Sequence, residues 1–366
     1  MVLYTGCADA LPAGRVTSAF HEGYRPAGPV FYILRRIQMN RGKKVALSVL
    51  AIFICLCVGI QMTIYNHKSS PAAVSAVKSA NTLITETGKA LVSAHRSGGI
   101  LEPEESLMAF RNCVESLDFK TDIFEFDLHI TKDGILVLLH DDELDRTSDS
   151  EEVFGQKNVK PSDKTYEELR QLNMGAKFEN KDGKFPFRDL KGANVPDELR
   201  ILRVENILDY LMANGDYQYI IEIKDGGDAG FQGVDLLYEI LEQRGLLDKV
   251  IFGTFHGEVS KYVDEHYPKL RRSASIQEVL EFYFKSLAGS ENLKAKYSVL
   301  QVPYQMFGFN LGTARFINYA HKNNIAVQYW TINDAEDAAY LNSIGADCIM
   351  SDNPKMIYDV IHGENK

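Results

Sequence analysis

The sequence predicts an α/β protein, a (β/α)8 TIM barrel with a small insertion after its third strand and one transmembrane helix ahead of it. Three features carry that expectation. They are an uncharged run of bilayer length near residue 50, eight short apolar runs beyond residue 89, and polar residues crowded at the ends of the early runs. The N-terminal 70 residues are net +6, which leaves −16 on the remainder of a chain whose total is −10. An acidic body argues against nucleic acid as a partner, because phosphate backbones are held by cationic surface.

Residues 45–65 read VALSVLAIFICLCVGIQMTIY, 21 positions without a formal charge. About 20 apolar residues span a bilayer core in helical form. Arg35, Arg36, Arg41, Lys43 and Lys44 precede the run and only Lys68 follows closely, so a cytoplasmic tail over 1–44 and an extracytoplasmic body are expected. A cleaved signal peptide is the competing reading, but its small-residue candidates near Ala73 lie well past the apolar run. Met39 would make a normal start to such a segment, with residues 1–38 an upstream extension. Residues 66–89, rich in Ser, Ala and Thr, suit a flexible linker. Five cysteines form neither a CxxC pair nor a zinc spacing, so Cys113 and Cys348 are expected as buried thiols or as one optional bridge.

The body, residues 90–366, carries apolar runs at 90–94, 123–128, 135–139, 219–223, 250–255, 270–275, 298–302 and 325–330. Helical patterns lie between most of them, at 106–116, 204–213, 234–244, 313–322 and 335–343. Such alternation denotes parallel strands joined by helices, and eight repeats suit a closed barrel better than an open sheet. No GxGxxG or Walker sequence follows the first run. Runs two and three are separated by a turn signal with no room for a helix, and residues 141–202 read as an insertion with a short helix near 166–172.

In a barrel of this type, chemistry gathers where strands end. The first run ends in His95 and Arg96, the second carries Glu125 and Asp127, the third ends in His140 and Asp141, and the fourth holds Glu222 and Lys224. Residues two apart share a strand face, so each carboxylate pair or carboxylate–lysine pair projects together. Three carboxylates form a hard oxygen site for one divalent cation, Ca²⁺ or Mg²⁺. Arg96 and Lys224 suit phosphate oxygens, and two histidines suit general acid and base, with the roles of the two left open. Singly, each residue is as well explained by surface or core packing; four loaded strand ends in one frame are not.

These residues resemble a known family. The runs AHRSGG…EPEES…AF, EFDLHITKDGILVLLHDDELDRTS, IEIK, YWTIN and GADCIMSDNP match, in order, the motifs of glycerophosphodiester phosphodiesterases. The resemblance implies a (β/α)8 barrel, a divalent metal, and hydrolysis of glycerophosphodiesters to glycerol 3-phosphate and an alcohol. It places His95 and His140 as the catalytic pair, Glu125, Asp127 and Glu222 on the metal, and Arg96 and Lys224 on phosphate. Trp330 would pack near the glycerol or simply within the core. Glu105, Ser106, Ser97, Ser351 and Asn353 depart from the family pattern. Glu104 is expected to orient Arg96 or cap a helix, Asp141 to orient His140, and His129 to be incidental. Two further readings stand beside this one: lysophospholipase D action on membrane lysolipids, with a phosphatidylinositol-cleaving barrel more distant, and a non-catalytic membrane barrel module. The alcohol headgroup and oligomeric state are not specified by the sequence.

Overall fold

The computed structural model describes residues 80–291 and 293–363, together with Ser48, Ile52, Cys55, Leu56 and Gly59. The chain divides into two units, residues 1–55 and 56–366. In the first, Ser48, Ile52 and Cys55 are helical and exposed. Apart from the five isolated positions, the span expected over 45–65 and the tail over 1–44 lie outside the described residues. Among the described residues, no helix is long and apolar enough to cross a membrane.

The second unit is an α/β barrel. Its parallel staves are β1 (Leu91–Ala94), β2 (Ile123–Ile130), β4 (Gln218–Ile223), β5 (Val250–Gly253), β6 (Val299–Val302), β9 (Ala326–Tyr329) and β10 (Cys348–Ser351), in the order β5-β4-β2-β1-β10-β9-β6. The gap between β5 and β6 is closed by two parallel bridges, Phe252 to Arg272 and Ser273 to Val299. Eight staves result, though not the eight expected. The run at 135–139 forms β3 (Leu136–Leu138), which pairs antiparallel with β2 outside the barrel path. A tight turn can only return a strand antiparallel, because a parallel crossover needs about a dozen residues. The stave that replaces it is β10, a short run counted in the sequence only as part of a motif. The run at 270–275 contributes through residues 272 and 273 alone.

Strand period sorts the side chains. Ile123, Ile220, Ile251, Val299, Ala326 and Cys348 meet inside the barrel as its lower layer. Their neighbours Phe124, Phe126 and Leu128 face outward and pack with Val204, Leu208 and Val234 from the helices. Fully burying each such side chain contributes about 1.5–3 kcal/mol. The helices are α1 (Leu107–Glu115), α2 (Ser150–Phe154), α3 (Tyr166–Leu169), α4 (Val204–Asn214), α5 (Gly227–Gln243), α6 (Gly257–His266), α7 (Ile276–Ala288), α8 (Ala314–Lys322), α9 (Ala335–Ser343) and α10 (Pro354–His362). Capping sets their starts: Ser106 accepts from Ala109 N at α1, and Ser275 with Glu278 forms a reciprocal capping box at α7. Helices α2, α6, α7 and α10 lie outside the helical stretches named above, and α5 starts seven residues before the periodic stretch at 234. Strands β7 (Gln305–Met306) and β8 (Phe309–Asn310) form a separate two-stranded sheet.

The insertion holds α2 and α3 around its own small core of Leu144, Leu169, Leu172 and Ile201 with Val137 and Leu139. The expected linker is docked over its last ten residues. Leu83 is buried in the lower layer, Asn81 Nδ2 donates to Ser298 O at 2.8 Å, and Thr85 N donates to Asp347 Oδ1 at 2.8 Å. Cys113 and Cys348 are buried free thiols.

Candidate active site

The inward face of β2 runs Ile123, Glu125, Asp127, so its upper two positions carry carboxylates into the barrel above the apolar floor. Parallel pairing sets Glu222 of β4 beside Asp127. Lys224 follows on the same face, and its Nζ lies 2.9 Å from Glu222 Oε1 and 3.4 Å from Asp127 Oδ1. His95 and Arg96 leave the end of β1, and His140 follows β3. Together with Trp330 beyond β9, all eight candidate residues line one cavity of about 300 Å³.

Arg96 is aimed by an unusual turn. Arg96, Ser97 and Gly98 have φ values of 47°, 63° and 84°, three successive left-handed residues. The turn lets Arg96 N donate to Glu125 Oε2 at 2.8 Å while the guanidinium reaches Glu104 Oε1 at 3.2 Å. Glu104 therefore orients Arg96; the helix cap is made by Ser106. Ser97 stands where the resemblance has glycine, and it adopts the backbone that glycine favours.

Each histidine is held at Nδ1 by a carboxylate. His95 pairs with Asp352 Oδ1 at 2.6 Å and His140 with Asp141 Oδ1 at 2.7 Å. Nε2 is then the nitrogen left for a ligand in both rings. The Asp352 pair follows from β1 and β10 running in register, Ala94 beside Ser351, so the next residues meet. Burial opposes charge on His95, but Glu125 and Asp352 outweigh it and raise its pKa. Burial wins at His140, whose pKa falls despite the pull of Asp127. Asp141 would be raised by burial, yet hydrogen bonds from Arg146 and His140 hold it down at about 2.

The carboxylates repel one another. Burial and then Asp127 push Glu125 up to about 8, and the same two causes push Glu222 up to about 7. Asp127 is 1 % exposed, and its Oδ2 has no hydrogen-bond partner among the described residues. Such a donor set fits a hard divalent cation, which would neutralise the repulsion and occupy the free oxygen. Among the described residues, however, no three acidic, histidine or cysteine side chains stand close enough to enclose an ion. The Lys224 ammonium, 2.9 Å from Glu222 and 3.4 Å from Asp127, offsets part of their charge.

Several residues of the site are not evident from strand-end reasoning. Asp352 is one; the closing motif contains it, but its partner lies 257 positions away. Glu105 is another, 6 % exposed, with φ 54° and an oxygen accepting from Asp127 N at 2.6 Å, so it fixes the β2 backbone under the carboxylates. Arg146 is a third, bonded twice to Glu104 at 2.8 and 2.6 Å and also to Asp141, joining the Arg96 side to the His140 side. Their signals were acidic and basic residues inside motif runs whose individual duties only the fold reveals. Of the two departures Ser351 and Asn353, Ser351 Oγ donates to Asn333 Oδ1 at 2.8 Å and accepts from Asn353 N at 3.0 Å, while the Asn353 side chain caps α10. His129 is outside the cavity, paired with Asp225 at 2.9 Å.

Comparison with known proteins agrees with this geometry. Residues 95–356 match the Glycerophosphoryl diester phosphodiesterase family. A glycerophosphodiester phosphodiesterase of Caldanaerobacter subterraneus subsp. tengcongensis is 27% identical over 275 residues, covering 75% of this chain and 98% of the relative. A glycerophosphoryl diester phosphodiesterase domain from Mycobacterium tuberculosis superposes with a TM-score of 0.58 at 16% identity, covering 73% of this chain and 97% of the domain. An Oleispira antarctica phosphodiesterase in complex with the product sn-glycerol-3-phosphate gives 0.56 at 21%, covering 74% and 96%. At those identities the two structures speak for the fold alone.

Proposed function

This chain belongs to the glycerophosphoryl diester phosphodiesterase family, and from that premise we propose that it hydrolyses glycerophosphodiesters to glycerol 3-phosphate and an alcohol. It is an enzyme, a phosphoric diester hydrolase. One observation carries the proposal: two carboxylate-anchored imidazoles, two cations and three carboxylates line a single cavity. Arg96 and Lys224 take the non-bridging phosphate oxygens, replacing water with fixed positive charge as the diester is attacked. His140, whose pKa is lowered by burial, accepts the proton of the attacking hydroxyl or water. His95, whose pKa is raised by its carboxylate neighbours, gives its proton to the departing alkoxide. Asp141 and Asp352 hold the two rings in the tautomers that this exchange needs.

Glu125, Asp127 and Glu222 are the residues that would hold a divalent cation. When bound, it supplies charge neutralisation at the phosphoryl group. The remaining steps belong to the side chains. Trp330 borders the cavity edge-on to Phe255, with ring centroids 6.0 Å apart, and is proposed to flank the glycerol.

The test uses the full chain with glycerophosphocholine and with a glycerophosphodiester of p-nitrophenol. His95→Ala and His140→Ala should each lower turnover of the choline diester about 10²–10⁴-fold. The p-nitrophenolate needs no proton to leave, so it should restore turnover to His95→Ala and not to His140→Ala. Losses under tenfold in both variants would end the assignment.

A further inference from the structure

A second cavity opens at the other end of the barrel, where the staves begin. Arg271 stands ahead of the bridging residues 272 and 273, Ser298 ahead of β6 and Ile325 ahead of β9, and all three line it. Its volume is about 490 Å³, and its other walls come from the docked residues 80–82 and the loop at 293–297. It shares no residue with the catalytic cavity.

Charge sets this cavity apart. Arg271, Lys294 and Lys296 line it and no acidic residue does, although residues 71–366 sum to −16. Two adjacent arginines differ sharply in their partners. Arg272 is gripped by Asp264 and Glu278 through four bonds of 2.7 to 2.9 Å. Arg271, half-buried beside it, makes one long bond among the described residues, from Nη1 to Thr82 Oγ1 at 3.4 Å. Its buried Nε has no partner there. Burial lowers the Arg271 pKa and Asp248 restores only part of it, whereas the carboxylates raise that of Arg272. A desolvated guanidinium with an unused donor is costly unless an anion meets it.

The neighbouring groups offer no such anion. Lys296 lies 3.8 Å from Asp264 Oδ2, an oxygen that Arg272 already holds at 2.8 Å. The cavity's amides are engaged elsewhere: Asn81 Nδ2 donates to Ser298 O and Asn323 Nδ2 to Tyr319 O, both at 2.8 Å. The donors left to a ligand are cations.

We propose that this cavity is a second anion site that binds a phosphate group, with Arg271 as its donor fork and Lys294 and Lys296 as point charges. Three cations favour a dianion over a single carboxylate, and the volume leaves room for the group that carries it. A soluble phosphomonoester and a phospholipid headgroup share this chemistry. Thr82 brings the docked stretch to the same guanidinium, so an occupant also braces that stretch against the barrel.

The experiment titrates inorganic phosphate into the full chain in neutral detergent and reads binding by calorimetry. The expected result is a binding event that Arg271→Gln weakens about 10–100-fold and Arg96→Gln leaves in place. Lys294→Gln, at an exposed position that secures folding, should weaken the same event about threefold. Glycerophosphocholine turnover should be unchanged in Arg271→Gln and Lys294→Gln. Dihexanoylphosphatidate, with dihexanoylphosphatidylcholine as control, then distinguishes the sources. Tighter Arg271-dependent binding than that of phosphate assigns a lipid headgroup, and equal or weaker binding assigns a soluble phosphomonoester. The proposal is overturned if every binding event survives both variants intact, or if no event saturates below about 10 mM phosphate. Should Arg271→Gln lose turnover through misfolding, the Lys294→Gln titration decides.

Discussion

Replacing Ser97 by glycine should stabilise the barrel. Ser97 has φ 63° and is fully buried, and its Oγ has no hydrogen-bond partner among the described residues. The left-handed backbone costs an L-residue about 1–2 kcal/mol, and a buried hydroxyl left unpaired costs about 1–3 kcal/mol. Glycine removes both and gives back about 0.5–1 kcal/mol through the greater freedom of the unfolded chain. The net gain is about 3 kcal/mol. With a urea m-value of about 3 kcal/mol/M, the unfolding midpoint should rise by roughly 1 M. Ser97→Ala separates the contributions, because it deletes the hydroxyl and keeps the strain; its midpoint should rise by roughly 0.7 M. Activity should be preserved in both, since Arg96 keeps Glu125 at its backbone and Glu104 at its guanidinium. A midpoint that stays in place or falls in Ser97→Gly would refute the reasoning and show that the turn is not a site of stored cost.

Asp352→Asn removes a negative charge that raises the His95 pKa, so the protonated fraction at pH 7 falls. The limb of the pH–rate profile assigned to this acid should move to lower pH, and kcat should drop about 100-fold; an unmoved limb contradicts His95 as donor. Binding of Ca²⁺ or Mg²⁺ should expel protons. With Glu125 at about 8 and Glu222 at about 7, the carboxyls are partly protonated at pH 7 and must ionise to bind, releasing roughly one proton per cation, a release that fades above pH 8. Calorimetry in buffers of differing ionisation enthalpy reads this directly, and zero release at pH 7 speaks against those ligands. The uncharged run at 45–65 predicts that the full chain stays with membranes through alkaline carbonate and leaves only with detergent; release by carbonate disproves the anchor.

Where a period of two controls direction, the sequence was informative. Glu125 with Asp127, and Glu222 with Lys224, could be set on shared faces because alternation leaves no other choice. Strand partnership was less legible. The run at 135–139 has the composition of a stave, and only the Thr131–Gly134 turn discloses that it must fold back beside β2. The four residues of β10 are flanked by Asp347 and Asp352 and do not stand out by pattern, yet they close the barrel and bring Asp352 to His95. Glu105 was unreadable for another reason: a buried acid accepting one backbone N–H looks, in sequence, like any solvated glutamate.

The docked stretch at 80–89 bears on how the enzyme could be shed or trimmed. Leu83 is a stopper in the lower end of the cylinder, and deleting a buried leucine of this kind costs about 2–5 kcal/mol. A protease that frees the catalytic body from whatever precedes it must therefore cut upstream of Ala80. A fragment beginning at the first strand would have a hole in its base and a shorter life in solution.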